Sequence, residues 1–312
     1  MKALMLGYGN VGKALNSLIR ERSPKLGLDI KVEGVVTRRG IMLNQREDFH
    51  PDKEGTVLEA LDLINPDLVI DVSSANYEDG EPSLSLYLES LSRGINVVTA
   101  NKAPLALNFS RIMAVAEKNG AKVGFQATVM SGTPSINLLR AMRAAEVRKI
   151  RGILNGTTNY ILTRMNEGLD YLSALKEAQR RGYAETDPEH DVNGFDAAAK
   201  LTILANFALK KPVTLKDVEF SGIKDVTQDK VKEAARKGKK IKLIANAGEG
   251  SLRVMTSEIS PEDPLYHVDG VTNALDVHTD VQEVVIIGPG AGPLNAAFGV
   301  FSDIVLMYKG TF

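Results

Sequence analysis

A stretch of sixteen residues in the second half of the chain, Glu185–Lys200, contains five carboxylates and one lysine. Pro188 and Gly194 interrupt both helical and strand periodicity, so its first part is predicted to be a loop. After Gly194 the pattern becomes apolar and helical, which places Asp196 and Lys200, four residues apart, on one face of a helix. Two interpretations follow: a surface ion pair on a capped helix, or a polar pocket that binds a charged small molecule and positions a proton-transferring amine.

The composition is typical of a soluble protein with two domains. The chain has 312 residues, of which 25% are charged, and its formal net charge is −1. This length is sufficient for two hydrophobic cores. There is no long basic run and no apolar run of about 18 residues, so neither a nucleic-acid partner nor a membrane partner is expected. The chain starts directly in a predicted strand without a signal peptide, which predicts a cytoplasmic location.

The absence of cysteine restricts the chemistry further. The chain cannot form disulfides, thiolate metal sites or a cysteine nucleophile. Its four histidines are scattered without the spacing of metal ligands, so no zinc site is expected.

A glycine-rich turn follows the first predicted strand and opens a helix. In the pattern Gly7-x-Gly9-x-x-Gly12, the first glycine permits a tight turn, the second lets backbone amides approach a pyrophosphate, and the third allows close packing of helix and strand. A glycine-rich turn without a ligand is the alternative. The candidate pyrophosphate-binding residues are Gly7, Tyr8, Gly9, Asn10, Val11 and Gly12.

The end of the second predicted strand indicates which dinucleotide would bind. A site selective for NAD places an acidic residue there, to accept hydrogen bonds from the ribose hydroxyls. This chain has Thr37, Arg38 and Arg39 instead, and the two cations stand where a 2′-phosphate would lie. The sequence therefore favours NADP(H), with NAD(H) still possible because arginine can also stack on adenine.

Further apolar runs alternate with helical segments and predict an α/β fold with a Rossmann-type, doubly wound parallel sheet. The runs are 68–72, 95–99 and 122–126, and the helical segments lie near 56–64, 82–93 and 107–119. Ligands bind at the carboxyl ends of such strands. Ser73, Ser74 and Lys102 lie there, and Lys102 is either a solvated loop charge or a functional group near the nicotinamide.

After residue 133 the alternation ends, which predicts a second, α+β domain with a mixed sheet. A helix from Pro134 to about Glu146 should lead into a strand at 147–154, and Asn155–Tyr160 is a turn rich in hydroxyls and amides that opens another helix. That turn alone could be a simple helix cap. Strands are expected at 241–245, 252–256 and 284–288, and a final helix from Asn295 to about Tyr308. The predicted domains are 1–133 with 288–312, for the dinucleotide, and 134–287, for substrate binding, catalysis and dimerisation.

Six motifs together resemble the homoserine dehydrogenase family along the whole chain. They are Gly7-x-Gly-x-x-Gly12, Thr99-Ala-Asn-Lys102, Ala127-Thr-Val, Gly152-Ile-Leu-Asn-Gly-Thr-Thr-Asn-Tyr160, Glu185-x-Asp-Pro-x-x-Asp-x-x-Gly-x-Asp-x-Ala-x-Lys200 and Gly288-Pro-Gly-Ala-Gly292. The resemblance implies an NAD(P)-dependent enzyme of threonine, methionine and isoleucine biosynthesis that interconverts L-homoserine and L-aspartate 4-semialdehyde. It also implies a homodimer formed through the second domain, in a short form that ends without the family's C-terminal regulatory domain.

The same resemblance implies roles for individual residues. Lys102 and Lys200 correspond to the paired catalytic lysines, with Lys200 the proton donor and acceptor. The implied substrate-binding residues are Glu185, Asp191, Asp196, Gly156 and Thr157, and Gly292 would contact the cofactor. Relatives carry Glu before Ala-Thr-Val, where it helps bind a monovalent cation. This chain has Gln126 there, so a sodium site built from the backbone carbonyls of Val129, Ser131 and Thr133 would lack that formal charge.

Three other classes of protein are alternatives to this interpretation. A semialdehyde dehydrogenase acting on phosphorylated aspartate needs a cysteine nucleophile and is excluded. Another amino-acid dehydrogenase could share the fold. A catalytically inactive NADP-binding sensor would keep Gly7–Gly12 but would not need both lysines and the carboxylate cluster.

Overall fold

Buried apolar strands alternate with helices in the first part of the chain, and longer antiparallel strands follow in the second. The computed structural model describes residues 1–248 and 250–310, and it confirms the predicted α/β class. The strands are β1 (Lys2–Leu6), β2 (Lys31–Thr37), β3 (Gly40–Leu43), β4 (Leu68–Asp71), β5 (Asn96–Thr99), β6 (Val123–Gly124), β7 (Val147–Ile153), β8 (Glu219–Phe220), β9 (Lys240–Gly248), β10 (Ser251–Ile259), β11 (Thr272–Thr279) and β12 (Glu283–Pro289). The helices are α1 (Asn10–Arg22), α2 (Val57–Ile64), α3 (Ser83–Ser92), α4 (Lys102–Lys118), α5 (Ser135–Ala141), α6 (Gly156–Asn166), α7 (Tyr171–Arg180), α8 (Glu189–Val192), α9 (Phe195–Ala208), α10 (Gln228–Arg236) and α11 (Pro293–Tyr308).

The first sheet has the strand order β3-β2-β1-β4-β5-β6 and is parallel from β2 to β6. Its register aligns the carboxyl ends that matter for a ligand: Leu6 pairs with Asp71, and Asp71 pairs with Thr99. The glycine turn, Ser73 and Lys102 therefore leave the sheet at one edge, as expected for strands of this order.

The sequence did not predict β3, which runs antiparallel to β2 and makes the first sheet mixed. Thr37 pairs with Gly40, so the two strands are joined by a two-residue hairpin at Arg38 and Arg39. The strand was missed because it has only four residues and because arginine is not one of the residues that mark a tight hairpin.

Two predicted boundaries in the first sheet were wrong. Only Val123–Gly124 of the expected strand 122–126 pairs with β5. Helix α4 begins at Lys102 rather than near residue 107, so Lys102 lies in the first turn of a helix and not in a loop. Pro104 is compatible with that turn because the first amides of a helix have no partner within it.

The second sheet has the order β12-β11-β7-β9-β10-β8 and is mixed, as predicted, because β8 pairs parallel with β10 while the other neighbours are antiparallel. Helix α9 contacts β7, β9 and β10. Ala197–Asn206 is buried all round the helix, and small alanine side chains allow that close approach to the sheet. Strand β11, which lies between β12 and β7, was not predicted from the sequence.

The chain forms two compact units. Met1–Ile136 and the residues from Ala291 onward make the first, and Asn137–Gly290 makes the second. Helix α11 belongs to the first unit because its apolar residues Ala297, Phe301 and Ile304 are buried in the same core as the β1 strand. Glu249 and residues 311 and 312, the last of which end the expected first domain, lie outside the described residues. Among the described helices none has both the length and the hydropathy needed to cross a bilayer.

Candidate active site

The glycine turn between β1 and α1 combines close packing with an open face. Gly7 has a φ of +89°, and a Cβ there would lie 2.8 Å from the backbone nitrogen of Ser73. A Cβ on Gly12 would lie 3.1 Å from the carbonyl oxygen of Gly7. At Gly9 a Cβ would meet no atom of residues 1–248 and 250–310 within 4 Å, so these residues leave the backbone there accessible to a ligand.

The N-terminus of α1 has the properties of an anion site. Gly9 is the N-cap, none of the described side chains caps the helix, and its first turn contains no acidic residue. Backbone amides at this end can therefore donate hydrogen bonds to a pyrophosphate, and the helix dipole stabilises its negative charge. Asn10 and Val11 begin the helix, whereas the Tyr8 hydroxyl is already bonded to the carbonyl of Arg46. The residues present thus fit a dinucleotide.

The β2–β3 hairpin presents two exposed cations. Arg38 and Arg39 form its tip, and the backbone amide of Arg39 donates to Thr37 Oγ1 at 3.1 Å. The Arg39 guanidinium lies over the Phe49 ring, 4.8 Å from its centroid, which restricts its orientation. Thr37 ends β2, so no acidic side chain stands at the position that selects for NAD.

A buried polar network fixes the ends of β4 and β5. Asp71 Oδ1 accepts hydrogen bonds from the amide and the hydroxyl of Ser73, and Asp71 Oδ2 accepts one from the Tyr87 hydroxyl. That hydroxyl also lies 2.7 Å from Thr99 Oγ1. Burial, together with the neighbouring Asp71, raises the pKa of Tyr87 well above its usual range, so the hydroxyl stays protonated and donates.

Asn101 connects this network to Lys102. Its Nδ2 donates to Ser83 Oγ at 3.1 Å, and its Oδ1 caps α4 by accepting from the amide of Ala103. Lys102 is the first residue of that helix and is therefore held at a fixed point on the sheet edge, while Ser74 is exposed nearby. Asp71 and Tyr87 were not predicted as part of the site, although an aspartate ending a buried strand was a visible signal, and Asn101 was named only within the motif Thr99-Ala-Asn-Lys102.

In the second unit, the interpretation of Asp196 and Lys200 as a surface ion pair is wrong. Lys200 lies on α9 and is only 7% exposed. Its ammonium forms an ion pair with Asp196 Oδ2 at 2.7 Å and donates to the Leu154 carbonyl at 2.7 Å. A lysine that is buried and held by two oxygens from different parts of the chain is not a solvated surface charge.

Asn155 brings a second carboxylate to the same place. Its Nδ2 donates to Asp191 Oδ1 at 2.7 Å and to Asp196 Oδ2 at 2.9 Å, while its Oδ1 caps α6 through the amide of Thr158. Burial, and then the charge of Asp196, raise the pKa of Asp191, and Asn155 and Lys200 only partly oppose the rise. We call Asn155, Asp191, Asp196 and Lys200 the acid–lysine cluster.

Of the other candidate substrate residues, Gly156 and Thr157 follow the cluster residue Asn155 directly, whereas the carboxylate of Glu185 is not bonded to any of the described cluster residues. Gly156 and Thr157 begin α6, directly after Asn155, and Thr157 Oγ1 donates to the Tyr183 carbonyl at 2.7 Å. A Cβ on Gly156 would lie 2.8 Å from the Val271 carbonyl oxygen. Glu185 is exposed, and its carboxylate forms no hydrogen bond or ion pair with the described residues.

The remaining candidates lie in the first unit. Gly292 is the N-cap of α11 and has a φ of +104°. The carbonyls of Val129, Ser131 and Thr133 do converge, but the atom at their focus is Nε2 of Gln126, at 3.5, 3.2 and 2.6 Å respectively.

Comparison with known proteins covers both units. A family model described as the homoserine dehydrogenase NAD binding domain matches residues 7–126, and one described as homoserine dehydrogenase matches residues 134–305. The homoserine dehydrogenase of Sulfurisphaera tokodaii is 59% identical over 311 residues, 99% of each chain.

Solved structures give the same result. A putative homoserine dehydrogenase from Archaeoglobus fulgidus aligns with a TM-score of 0.90 and 32% identity, covering 99% of both chains. A hyperthermophilic archaeal homoserine dehydrogenase in complex with NADPH aligns with a TM-score of 0.86 and 29% identity, covering 99% of this chain and 98% of that one. The chain therefore belongs to the homoserine dehydrogenase family of NAD(P)-dependent oxidoreductases.

Proposed function

We propose that the acid–lysine cluster binds L-homoserine in the reaction of this family, the interconversion of L-homoserine and L-aspartate 4-semialdehyde. The observation that carries the proposal is the buried Lys200 ammonium, which is held 2.7 Å from Asp196 and 2.7 Å from the Leu154 carbonyl. A bound nicotinamide dinucleotide supplies the hydride acceptor or donor. The protein must supply the proton transfer and the binding of an amino acid.

Lys200 is the proposed proton-transfer group. An ammonium has three N–H donors, and within the described part of the chain Lys200 directs two of them to Asp196 and Leu154, which leaves the third for a substrate oxygen. In the oxidative direction the neutral amine takes the proton of the homoserine hydroxyl. In the reductive direction the ammonium polarises the aldehyde carbonyl as negative charge develops on its oxygen.

The charge of the cluster suits the α-ammonium of the substrate. Asp191 and Asp196 together carry two negative charges when ionised, and Lys200 neutralises one of them. A bound ammonium would neutralise the other and relieve the repulsion by Asp196, which adds to burial in raising the pKa of Asp191. We assign Glu185, on the exposed side, to the same ammonium, and the amides of Gly156 and Thr157 at the start of α6 to the substrate carboxylate.

We propose that the first unit, Met1–Ile136 with the residues from Ala291 onward, serves as the cofactor domain, for which the sequence predicts the bounds 1–133 and 288–312. We assign the pyrophosphate to the Gly7–Gly12 turn, with Ser73, Ser74 and Gly292 completing the cofactor site. A catalytic role for Lys102 rests on the family resemblance and on its fixed position in the first turn of α4. The proposal includes no bound sodium, because an amide donates to the carbonyls expected to hold it.

We propose a preference for NADP(H), supported by Arg38, by the oriented Arg39 and by the missing acid at Thr37. The test is kcat/KM of L-homoserine oxidation with NADP and with NAD, in the wild type and in Arg39→Leu. Loss of one charged contact to a phosphate should lower kcat/KM for NADP about tenfold or more and leave that for NAD nearly unchanged. Arg20→Leu, on α1, is the control. A strong NAD preference of the wild type would contradict the proposal.

We further propose a cytoplasmic homodimer formed through the second unit, Asn137–Gly290, for which the sequence predicts the bounds 134–287. Strand β12 is an edge strand with an exposed apolar side chain, Ile287, and such an edge is normally covered. Light scattering at micromolar concentration should give twice the mass of the chain, and Ile287→Lys should lower it. A monomeric wild type would contradict this assignment.

A further inference from the structure

A tight bend after Gln126 turns three backbone carbonyls toward one point. Met130 and Ser131 both adopt left-handed backbone conformations, with φ of +57° and +55°. L-residues adopt this conformation at a cost, so the bend persists only where its surroundings hold it. As a result the carbonyl oxygens of Val129, Ser131 and Thr133 all lie within 3.5 Å of Gln126 Nε2.

The donors at this point match the acceptors in number. Gln126 Nε2 has two hydrogens, which serve Thr133 at 2.6 Å and Ser131 at 3.2 Å. The hydroxyl of Ser135 donates to the third carbonyl, that of Val129, at 2.7 Å. Gln126 and Ser135 are fully buried, so water cannot replace either donor.

The backbone of Gln126 is held as firmly as its side chain. Its amide donates to Asp303 Oδ2 on α11 at 2.7 Å. Asp303 is itself packed against the end of β6, because a Cβ on Gly124 would lie 2.8 Å from the Asp303 Cβ. The side-chain amide is therefore delivered to the three carbonyls from a fixed position.

We infer that the Gln126 amide permanently takes the place of the monovalent cation that the family resemblance implies at these carbonyls. A cation here would have to displace Nε2, and it would enter a buried position without the carboxylate that compensates its charge in relatives. The neutral amide satisfies the same carbonyls without any ion. This enzyme consequently needs no sodium to hold the bend or to catalyse its reaction, whatever residues perform the chemistry.

The wild-type enzyme gives the decisive test. Its unfolding temperature and its kcat are measured in NaCl, KCl and choline chloride at equal ionic strength, and sodium binding is followed directly by the ²³Na NMR linewidth. We expect unfolding temperatures that agree within about 1 °C, equal kcat values and no saturable line broadening. A saturable, sodium-specific rise in the unfolding temperature or linewidth would overturn the inference.

Gln126→Glu provides a gain-of-binding test, because it replaces the amide donors with a carboxylate that faces three carbonyls. In choline chloride the variant should unfold at least about 5 °C below the wild type, and saturating NaCl should restore most of that loss. Gln282→Glu, the same chemical change at an exposed position, is the matched control and should respond to neither salt. A Gln126→Glu variant as stable as the wild type in choline chloride would contradict the inference, and the wild-type titration decides it even where the variant does not fold.

Discussion

Replacing Lys200 with methionine removes the charge at the centre of the acid–lysine cluster and leaves a side chain of similar length. The ammonium makes two contacts of 2.7 Å, to Asp196 and to the Leu154 carbonyl. Methionine is unbranched and adaptable, so it can fill the space without a large cavity. The substitution therefore tests the loss of charge and of the proton-transfer group rather than the loss of volume.

The expected loss of stability follows from burial. The side chains of Lys200 and Asp196 are 8% and 15% exposed. At 2.7 Å and an effective dielectric constant of about 20, their gross attraction is about 6 kcal/mol, part of which offsets the desolvation of the two charges. Breaking a buried pair from one side costs about 3–5 kcal/mol. We expect the unfolding temperature of Lys200→Met to fall by about 10 °C at pH 8.

The same variant should lose catalysis. Without a group to exchange the hydroxyl proton, kcat for L-homoserine oxidation should fall by about 10²-fold or more. The assay follows reduced cofactor by absorbance, with protein shown to be folded at the assay temperature.

Lys237→Met is the matched control, because Lys237 pairs with Glu233 four residues away at a similar distance, 2.8 Å, but on the surface, with side chains 48% and 63% exposed. The free energy of unfolding of Lys237→Met should fall by no more than about 1 kcal/mol, and its kcat should be unchanged. A folded Lys200→Met enzyme with near-wild-type kcat would refute the proton-transfer assignment. Equal losses of stability in the two variants would show that burial does not determine the cost of breaking these ion pairs.

Two further predictions concern the cofactor turn and the second carboxylate. Gly9→Ala should unfold within about 2 °C of the wild type, because its Cβ would meet no described atom within 4 Å, yet its KM for the cofactor should rise about tenfold. Gly7→Ala should instead lose stability, because its Cβ would lie 2.8 Å from Ser73. Thermal unfolding and initial rates separate the two, and an unchanged KM in Gly9→Ala would argue against backbone contact with the pyrophosphate. Because the folded-state pKa of Asp191 is raised, its carboxyl lowers stability as pH rises above the ordinary value of about 3.9. The unfolding temperature of Asp191→Asn relative to the wild type should therefore increase between pH 4 and pH 7, and a relative decrease over that range would contradict the pKa direction.

Local sequence rules predicted those parts of the fold that local interactions determine. The glycine turn into α1 and the start of α9 after Gly194 were recognised because turn residues and helical periodicity act over a few positions. The spacing of Asp196 and Lys200 predicted their shared helix face for the same reason. The burial of Lys200 was not predictable in this way, since it results from packing between distant segments. The Leu154 carbonyl to which Lys200 donates, for example, lies 46 residues earlier in the chain.

Asn155 shows how one residue can carry both a local and a distant function. Its local role, capping the start of α6, could be predicted from its residue type. Its amide nitrogen, however, joins Asp191 and Asp196, which lie 36 and 41 residues away. No spacing rule connects these positions, so the sequence alone left open how the carboxylates divide their work.

At Gln126 the sequence suggested a monovalent-cation site that lacks a carboxylate, and the structure shows the side-chain amide bonded to the carbonyls of that site. The three carbonyls expected to hold a cation do converge. From the sequence alone, the only difference visible at this position is that glutamine lacks the negative charge of a glutamate. The structure adds that the amide has donors, and that those donors and the Ser135 hydroxyl match the carbonyls in number.

We propose that Lys200 exchanges the proton of the substrate hydroxyl within the acid–lysine cluster. A crystal structure of the enzyme with NADP and L-homoserine would locate that hydroxyl. We expect it within about 3.2 Å of Lys200 Nζ, with the α-ammonium bonded to Asp191 or Asp196. A homoserine whose hydroxyl lies out of reach of Lys200, with the ammonium bound by other residues, would contradict it.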